Sequence, residues 1–329
     1  MRHAHLASLL VCALVSNLSV AVPFRDAPRH TPDAGRLLQT SRYAPLKKKR
    51  NYSTGPEYPV SGTYNTVIRP TNQNTQLAME VHFNNIPRYL LLDTGSADTW
   101  MISEEFQCLN ASLSPVPSSD CAFGDPYIGP KILQAHNETY YEEYGTGEVL
   151  SGIFGYADVS IAGLTVKSQK VAVVDRGYGL GDHVRSGVVG LAPRAVTQLF
   201  ENTNATTAAP NGTVTPYSPI FESMYSSSAA SAGQIPALFS LALQRGDEGG
   251  YIAFGGLPPV TNSPDFTFTP FKGINYYGHH YAERYYPVQP QGLELNGVKE
   301  STKYRAIVDS GTAANRLPQE IAERVNAAL

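Results

Sequence analysis

Tyr89-Leu90-Leu91-Leu92-Asp93-Thr94-Gly95-Ser96-Ala97-Asp98-Thr99-Trp100 is the stretch whose reading decides the fold. Leu90, Leu91 and Leu92 read as a buried strand that stops at Asp93, and Thr94-Gly95-Ser96 reads as the tight turn behind it. A carboxylate that ends a buried strand is partly desolvated. Its ionised form survives only if donors compensate it, and Thr94, Ser96 and the backbone N–H groups of the turn can supply them. Standing alone, an Asp-Thr-Gly turn is more often a plain strand ending than a catalytic one.

The turn occurs twice. Ala306-Ile307-Val308-Asp309-Ser310-Gly311-Thr312-Ala313 repeats the order of three apolar residues, Asp, hydroxyl residue, Gly, hydroxyl residue and Ala, with Asp309 lying 216 residues after Asp93. That interval is the size of a lobe, so two similar halves can meet with their Asp-Gly turns face to face. The chemistry that uses such an arrangement is hydrolysis by paired carboxylates. Two carboxyl groups in contact do not both ionise readily, so they share a proton; one takes a proton from a bound water while the other donates to the substrate carbonyl oxygen.

With both turns in hand, the chain resembles the pepsin-like, bilobal aspartic endopeptidases, in their secreted eukaryotic, fungal-type form, from about Tyr64 onward. Further motifs follow in the family's order. Tyr144-Gly145-Thr146-Gly147 resembles the flap whose tyrosine closes over the substrate, and Trp100 matches the tryptophan that hydrogen-bonds that tyrosine. Val188-Val189-Gly190-Leu191-Ala192 resembles the segment that crosses behind the first catalytic loop. Phe239-Ser240-Leu241-Ala242-Leu243 and Ile252-Ala253-Phe254-Gly255-Gly256 resemble the passage from the first lobe to the second.

The resemblance implies an all-β, bilobal fold with few short helices. It also implies Asp93 and Asp309 as the catalytic pair, with Thr94, Gly95, Ser96, Ser310, Gly311 and Thr312 supporting them, and Tyr144, Gly145 and Thr146 binding substrate from the flap. Polypeptide substrates, pepstatin-like inhibitors and the chain's own propeptide are the partners it implies; no cofactor or metal is expected, and a monomer is.

The beginning of the chain reads as a precursor. Residues 1–21 have a basic start at Arg2, an apolar run over 6–15 and the small-x-small ending Ser19-Val20-Ala21, the pattern of a signal peptide too short to span a bilayer. Residues 22–50 read as a basic propeptide ending Lys47-Lys48-Lys49-Arg50, released after the dibasic pair. Residues 1–50 hold nine Lys and Arg against two Asp and Glu, a charge of +7. The rest keeps 16 basic and 26 acidic residues, near −10. A cationic leader would bind an anionic cleft at neutral pH and release it as carboxylates protonate. The expected destination is outside the cell, or the vacuole or cell surface.

Residues 51–255 read as the N-terminal lobe and 256–329 as part of a C-terminal lobe. The 28 Gly, 24 Pro and 20 Tyr, with 16% charged residues, suit many short strands. Alternation marks strands at 76–83, 149–161 and 164–174, and short helices fit 219–225 and 318–329, the latter with Ile321, Val325 and Leu329 on one face.

Cys12 leaves with the leader. Cys108 and Cys121 remain in an oxidising compartment to close a small loop, since a metal would need more ligands than two cysteines. Asn51, Asn110, Asn137, Asn204 and Asn211 open Asn-x-Ser/Thr sequons and are candidate glycosylation sites.

Other chemistries find little support. Gly-x-Ser-x-Gly, Walker and His-Glu-x-x-His motifs are absent, and Gly177-Tyr178-Gly179-Leu180-Gly181 reads as a surface loop rather than a phosphate cradle. His279 and His280 with Glu283 read as exposed residues rather than metal ligands, because adjacent residues of a strand point apart. The acidic balance argues against nucleic acid.

Only 20 residues follow Asp309, so the second lobe reads as incomplete. A chain cut there is expected to leave sheet edges unpaired and its second half loose, which admits a non-catalytic peptide-binding module on the same scaffold as an alternative reading. Ser186, Glu148 and Arg316 depart from the family pattern; the last two can place charge beside a bound peptide.

Overall fold

A computed structural model of the chain describes residues 8–13, 64–72, 75–179, 181–201, 210–226, 235–243, 249–260, 275–276, 279–280, 284–288, 290, 292–295, 298–301 and 305–328. Twelve strands form one sheet: β1 (Ser8–Ala13), β2 (Tyr64–Thr71), β3 (Gln76–Phe83), β4 (Ile86–Asp93), β5 (Thr99–Cys108), β6 (Leu133–Glu143), β7 (Val149–Ile161), β8 (Leu164–Tyr178), β9 (Gly187–Gly190), β10 (Leu199–Glu201), β11 (Leu238–Leu243) and β12 (Gly250–Phe254). Their spatial order is β1-β11-β12-β2-β3-β4-β9-β5-β8-β7-β6-β10, with a further β3–β7 pairing that folds the sheet onto itself. The fold is therefore β-rich, as the turn spacing predicts. The strands expected at 76–83 and 149–161 have those limits, and the third runs past 174 to Tyr178.

Local chemistry fixes the register. Asn84 and Asn85 both adopt positive φ, 48° and 68°, which Asn tolerates; they form the two-residue turn that sets Phe83 opposite Ile86. Along β7, Ala157, Val159 and Ile161 are buried while Asp158 and Ser160 are partly exposed, the period of a strand with one face on the core. Val81, Phe83, Leu90, Leu92, Val159, Val189, Phe239 and Phe254 share that core. The helix α1 (Ile220–Ser226) covers it with Ile220, Phe221 and Met224, and Phe221 stacks edge-on against Phe239.

The glycine run at 177–181 departs from its reading. Gly177 and Tyr178 close β8, and Gly177 is buried against Leu150, where a Cβ would come within 2.5 Å; a side chain there would push the strands apart. The run from 8 to 13, read as the core of the leader, lies in β1, paired with β11.

Beyond Phe254 the strands are short: Asn275–Tyr276 with His279–His280, Pro287–Val288 with Ala306–Ile307, and Leu293–Leu295 with Val298–Glu300. Glu283 lies outside the described residues. A helix, α2 (Gln319–Ala328), follows Pro318 and buries Ile321. Among the described residues no helix is long and apolar enough to cross a membrane.

Candidate active site

The first Asp turn is held by a crossing of chains. β9 runs parallel to β4, pairing Leu91 with Val188 and Asp93 with Gly190, and antiparallel to β5 on its other side. The crossing is tight at Gly190, where a Cβ would meet the Ala97 carbonyl carbon at 2.4 Å, so only glycine fits. The Leu191 N–H then donates to the Asp93 carbonyl at 2.8 Å, and the Tyr286 hydroxyl donates to the Leu191 carbonyl from the far side. The strand end carrying Asp93 is thus bonded to Leu191, which Tyr286 holds in turn.

The two Asp turns meet and are hydrogen-bonded alike. Gly95 N–H and Ser96 Oγ donate to the Asp93 carboxyl at 2.7 and 2.5 Å; Gly311 N–H and Thr312 Oγ1 donate to the Asp309 carboxyl at 2.8 and 2.6 Å. Behind them the hydroxyls exchange. Thr94 Oγ1 donates to the Val308 carbonyl at 2.9 Å and accepts from Ser310 N–H at 2.9 Å, while Ser310 Oγ donates to the Leu92 carbonyl at 2.7 Å and accepts from Thr94 N–H at 3.1 Å. Each glycine makes room for the opposite acid: a Cβ on Gly95 would lie 2.6 Å from the Asp309 carboxyl, and one on Gly311 2.4 Å from Asp93 Oδ1.

Burial raises the Asp93 carboxyl from 3.8 to about 7, and the facing charge of Asp309 adds to it against the donation of Ser96 and Gly95. A buried acid beside another acid keeps a proton that an ordinary carboxylate would lose. The pair is therefore built to hold one proton between two carboxyls into the mildly acidic range.

The other candidates fall as follows. Tyr144 begins the turn after β6, and its hydroxyl accepts from Trp100 Nε1 at 2.9 Å. Gly147 N–H donates to the Tyr144 carbonyl at 2.8 Å with φ of 88°, which makes a tight tip of exposed Gly145 and Thr146. Thr146 Oγ1 donates to Glu148, which also lies 3.6 Å from the buried Arg185. Arg316 reaches across from the second Asp turn, its Nη1 3.8 Å from where a Cβ on Gly145 would stand. Ser186 is buried, and its N–H donates to the Tyr89 carbonyl.

Cys108 and Cys121 form a disulfide, with Cα atoms 5.8 Å apart. Asn110, Asn137 and Asn211 are exposed; Asn51 and Asn204 lie outside the described residues. Among the described residues no group of three or more His, Cys, Asp or Glu side chains is placed to hold a metal.

Three acidic or phenolic groups at the site escaped the sequence reading. Asp98, 1% exposed, accepts from Tyr217 Oη at 2.7 Å and from Gln198 N–H at 2.9 Å, and burial pushes its carboxyl up to about 7. Glu142 stands between Tyr140 and Tyr144 on β6, and burial with the nearby charges of Asp98 and Asp93 raises it well above the carboxylate range. Tyr285, from the second half, has its phenol raised by burial, against the lowering charge of Arg284 and with smaller additions from Glu142, Asp309 and Asp93. The one available signal was position: Asp98 lies in the decisive stretch, and Glu142 shares strand parity with Tyr144.

Comparison with known proteins agrees with this geometry. Residues 84–329 match the family model described as eukaryotic aspartyl protease. The chain is 32% identical over 268 residues to a probable aspartic-type endopeptidase of Aspergillus fumigatus, a match covering 77% of this chain and 56% of that protein. It is 23% identical to Rhizopuspepsin-1 of Rhizopus niveus, over 97% of this chain and 73% of the other. The aspartic proteinase from Irpex lacteus has the same fold, with a TM-score of 0.57 at 20% identity, over 80% of this chain and 68% of that one. The chain thus spans little more than half the length of its Aspergillus relative.

Proposed function

Because the chain belongs to the eukaryotic aspartyl protease family, we propose that it is an aspartic endopeptidase in which Asp93 and Asp309 hydrolyse peptide bonds with a water activated between them. The observation that carries the reading is the mirrored hydrogen bonding of the two carboxyls, each held by a glycine N–H and a hydroxyl and each facing the other's glycine. One oxygen of each carboxyl is tied to a backbone N–H and the other to a hydroxyl, which fixes both planes while one proton is shared. The deprotonated partner takes a proton from water as the oxygen attacks the carbonyl carbon, and the protonated partner donates to the carbonyl oxygen. Collapse of the tetrahedral diol returns a proton to the leaving nitrogen and breaks the C–N bond, so neither metal nor cofactor enters the reaction.

In this reading Thr94, Ser96, Ser310 and Thr312 position the dyad, and Tyr144, Gly145 and Thr146 close over an extended polypeptide that pairs its backbone with the cleft. Trp100 steadies Tyr144. Residues 1–21 would direct secretion, 22–50 would cover the cleft as a propeptide, and 51–255 and 256–329 would be the two lobes of a monomer. Asn51, Asn110, Asn137, Asn204 and Asn211 would be the glycan acceptors.

The test is cleavage of a denatured protein substrate by the chain and by Asp93→Asn and Asp309→Asn, with pepstatin binding measured alongside. Loss of cleavage in both variants with folding intact is expected. Retained cleavage in either removes the dyad, and failure of the parent chain to bind pepstatin removes the reading.

A further inference from the structure

The turn at 144–147 is held at a second place besides Trp100. Glu148, the residue after it, closes the turn with its backbone, whose carbonyl accepts from Tyr144 N–H at 2.9 Å, and with its side chain, which accepts from Thr146 Oγ1 at 2.8 Å. The other carboxylate oxygen of Glu148 lies 3.6 Å from Arg185 Nη2. The Arg185 and Glu148 side chains are 6% and 20% exposed, so this ion pair stands largely out of water.

Arg185 is itself anchored just ahead of β9. Its N–H donates to Asp182 Oδ1 at 2.7 Å, and its carbonyl accepts from Gly124 N–H at 2.8 Å. The guanidinium stands 5.8 Å from the centre of the Phe123 ring, and Phe123 meets the Trp100 ring edge-on at 5.9 Å. Trp100 donates to the Tyr144 hydroxyl at 2.9 Å. Tyr144, Glu148, Arg185, Phe123 and Trp100 thus close a ring of contacts, in which the turn is tied once through its phenol and once through the carboxylate behind it. A cation as enclosed as Arg185 has lost most of its hydration, which an anion close by helps to offset. Neutralising Glu148 therefore loosens the turn and favours the return of the guanidinium to water.

We propose that Arg185 and Glu148 are positioning residues, their ion pair tethering the turn at 144–147 so that it, together with the Trp100–Tyr144 bond, sets how readily the turn lifts to admit a polypeptide. The inference rests on the endopeptidase reading for what the turn closes over. The tether itself belongs to the folded chain and can be measured without substrate.

Trp100 is the one tryptophan of the chain and is 1% exposed, so its fluorescence reports on the ring of contacts. Glu148→Gln keeps the shape of the side chain, and Arg185→Met keeps an apolar stem against Phe123. Acrylamide quenching of Trp100 in the full chain should rise about 2-fold in either variant and no further in the double variant, since the same pair is broken each time. Glu143→Gln, at an exposed neighbour on β6, should leave quenching as it is. With a chromogenic peptide, KM should rise about 10-fold in each variant while kcat stays within about 2-fold, the pattern of a group that helps to hold substrate without acting on the bond. Unchanged quenching in Glu148→Gln, or effects of the single variants that multiply in the double, overturns the proposal. Raised quenching in a chain that cleaves nothing keeps the tether and removes the endopeptidase reading, whereas cleavage with quenching indifferent to Glu148 does the reverse.

Discussion

Asp309 occupies the space where Gly95 would carry a side chain, its carboxyl 2.6 Å from a Cβ built there. The reciprocal holds for Gly311 and Asp93 at 2.4 Å. These glycines are required by close approach rather than by a left-handed backbone. Gly95→Ala should therefore force the carboxyls apart and lower kcat/KM by about 100-fold or more, because a displacement of about 1 Å is enough to misplace attacking water and acid. Steady-state kinetics with a chromogenic peptide checks this; near-normal turnover would mean that the turns can part without loss.

The Thr94 and Ser310 hydroxyls each make two hydrogen bonds across the junction. Thr94→Val or Ser310→Ala removes two bonds and leaves an N–H or carbonyl short of a partner, a loss of about 2–3 kcal/mol each. The four bonds form one closed set, so the double variant should cost clearly less than the sum. Urea denaturation of the two single variants and the double variant gives the coupling directly, and strict additivity would show the set to be independent pairs.

Asp98 sets a pH dependence of stability. Its folded value, about 7, lies above its ordinary 3.8, so the folded state holds a proton that the unfolded state releases. The resulting contribution is complete below about pH 4 and is lost as pH rises through about 7, a difference of at most about 4 kcal/mol. Asp93 has the same sign. Asp98→Asn keeps an acceptor for Gln198 and a partner for Tyr217, so it should flatten the decline of Tm between pH 4 and 8. An unchanged slope would assign the decline to other groups.

Trp100 and Tyr144 join β5 to the turn after β6 through one bond of 2.9 Å. Trp100→Phe keeps an aromatic ring in the core and deletes that bond. Tm should fall by only a few degrees while kcat/KM falls about 5- to 10-fold, the value of one hydrogen bond that orders a mobile turn. Pairing the change with Tyr144→Phe should add little further loss.

The repeated Asp turn was legible because its chemistry is local. A buried strand, an acid, hydroxyls and glycine occupy consecutive positions, and their hydrogen bonds run two and three residues along the chain. The strands at 76–83 and 149–161 were legible for the same reason, their alternation being set by one face on the core. Gly177 was not, since glycine carries no hydropathy signal and its burial depends on Leu150 in the neighbouring strand. Asp98 and Glu142 were missed because an isolated acid in sequence reads as a solvated one. What makes Asp98 different is supplied by Gln198 and Tyr217, 100 and 119 residues away.

The exchange of hydroxyls between Thr94 and Ser310 also bears on when the acid pair can form. Gly95 and Ser96 hold the Asp93 carboxyl locally, but the Thr94 N–H and the Leu92 carbonyl leave the ribosome without their partner, and 216 residues separate Thr94 from the Ser310 that supplies it. At about 5–20 residues per second that interval lasts roughly 10–40 s. Throughout it the nascent first half carries one acid without the other, and the pair forms only once the two turns have met.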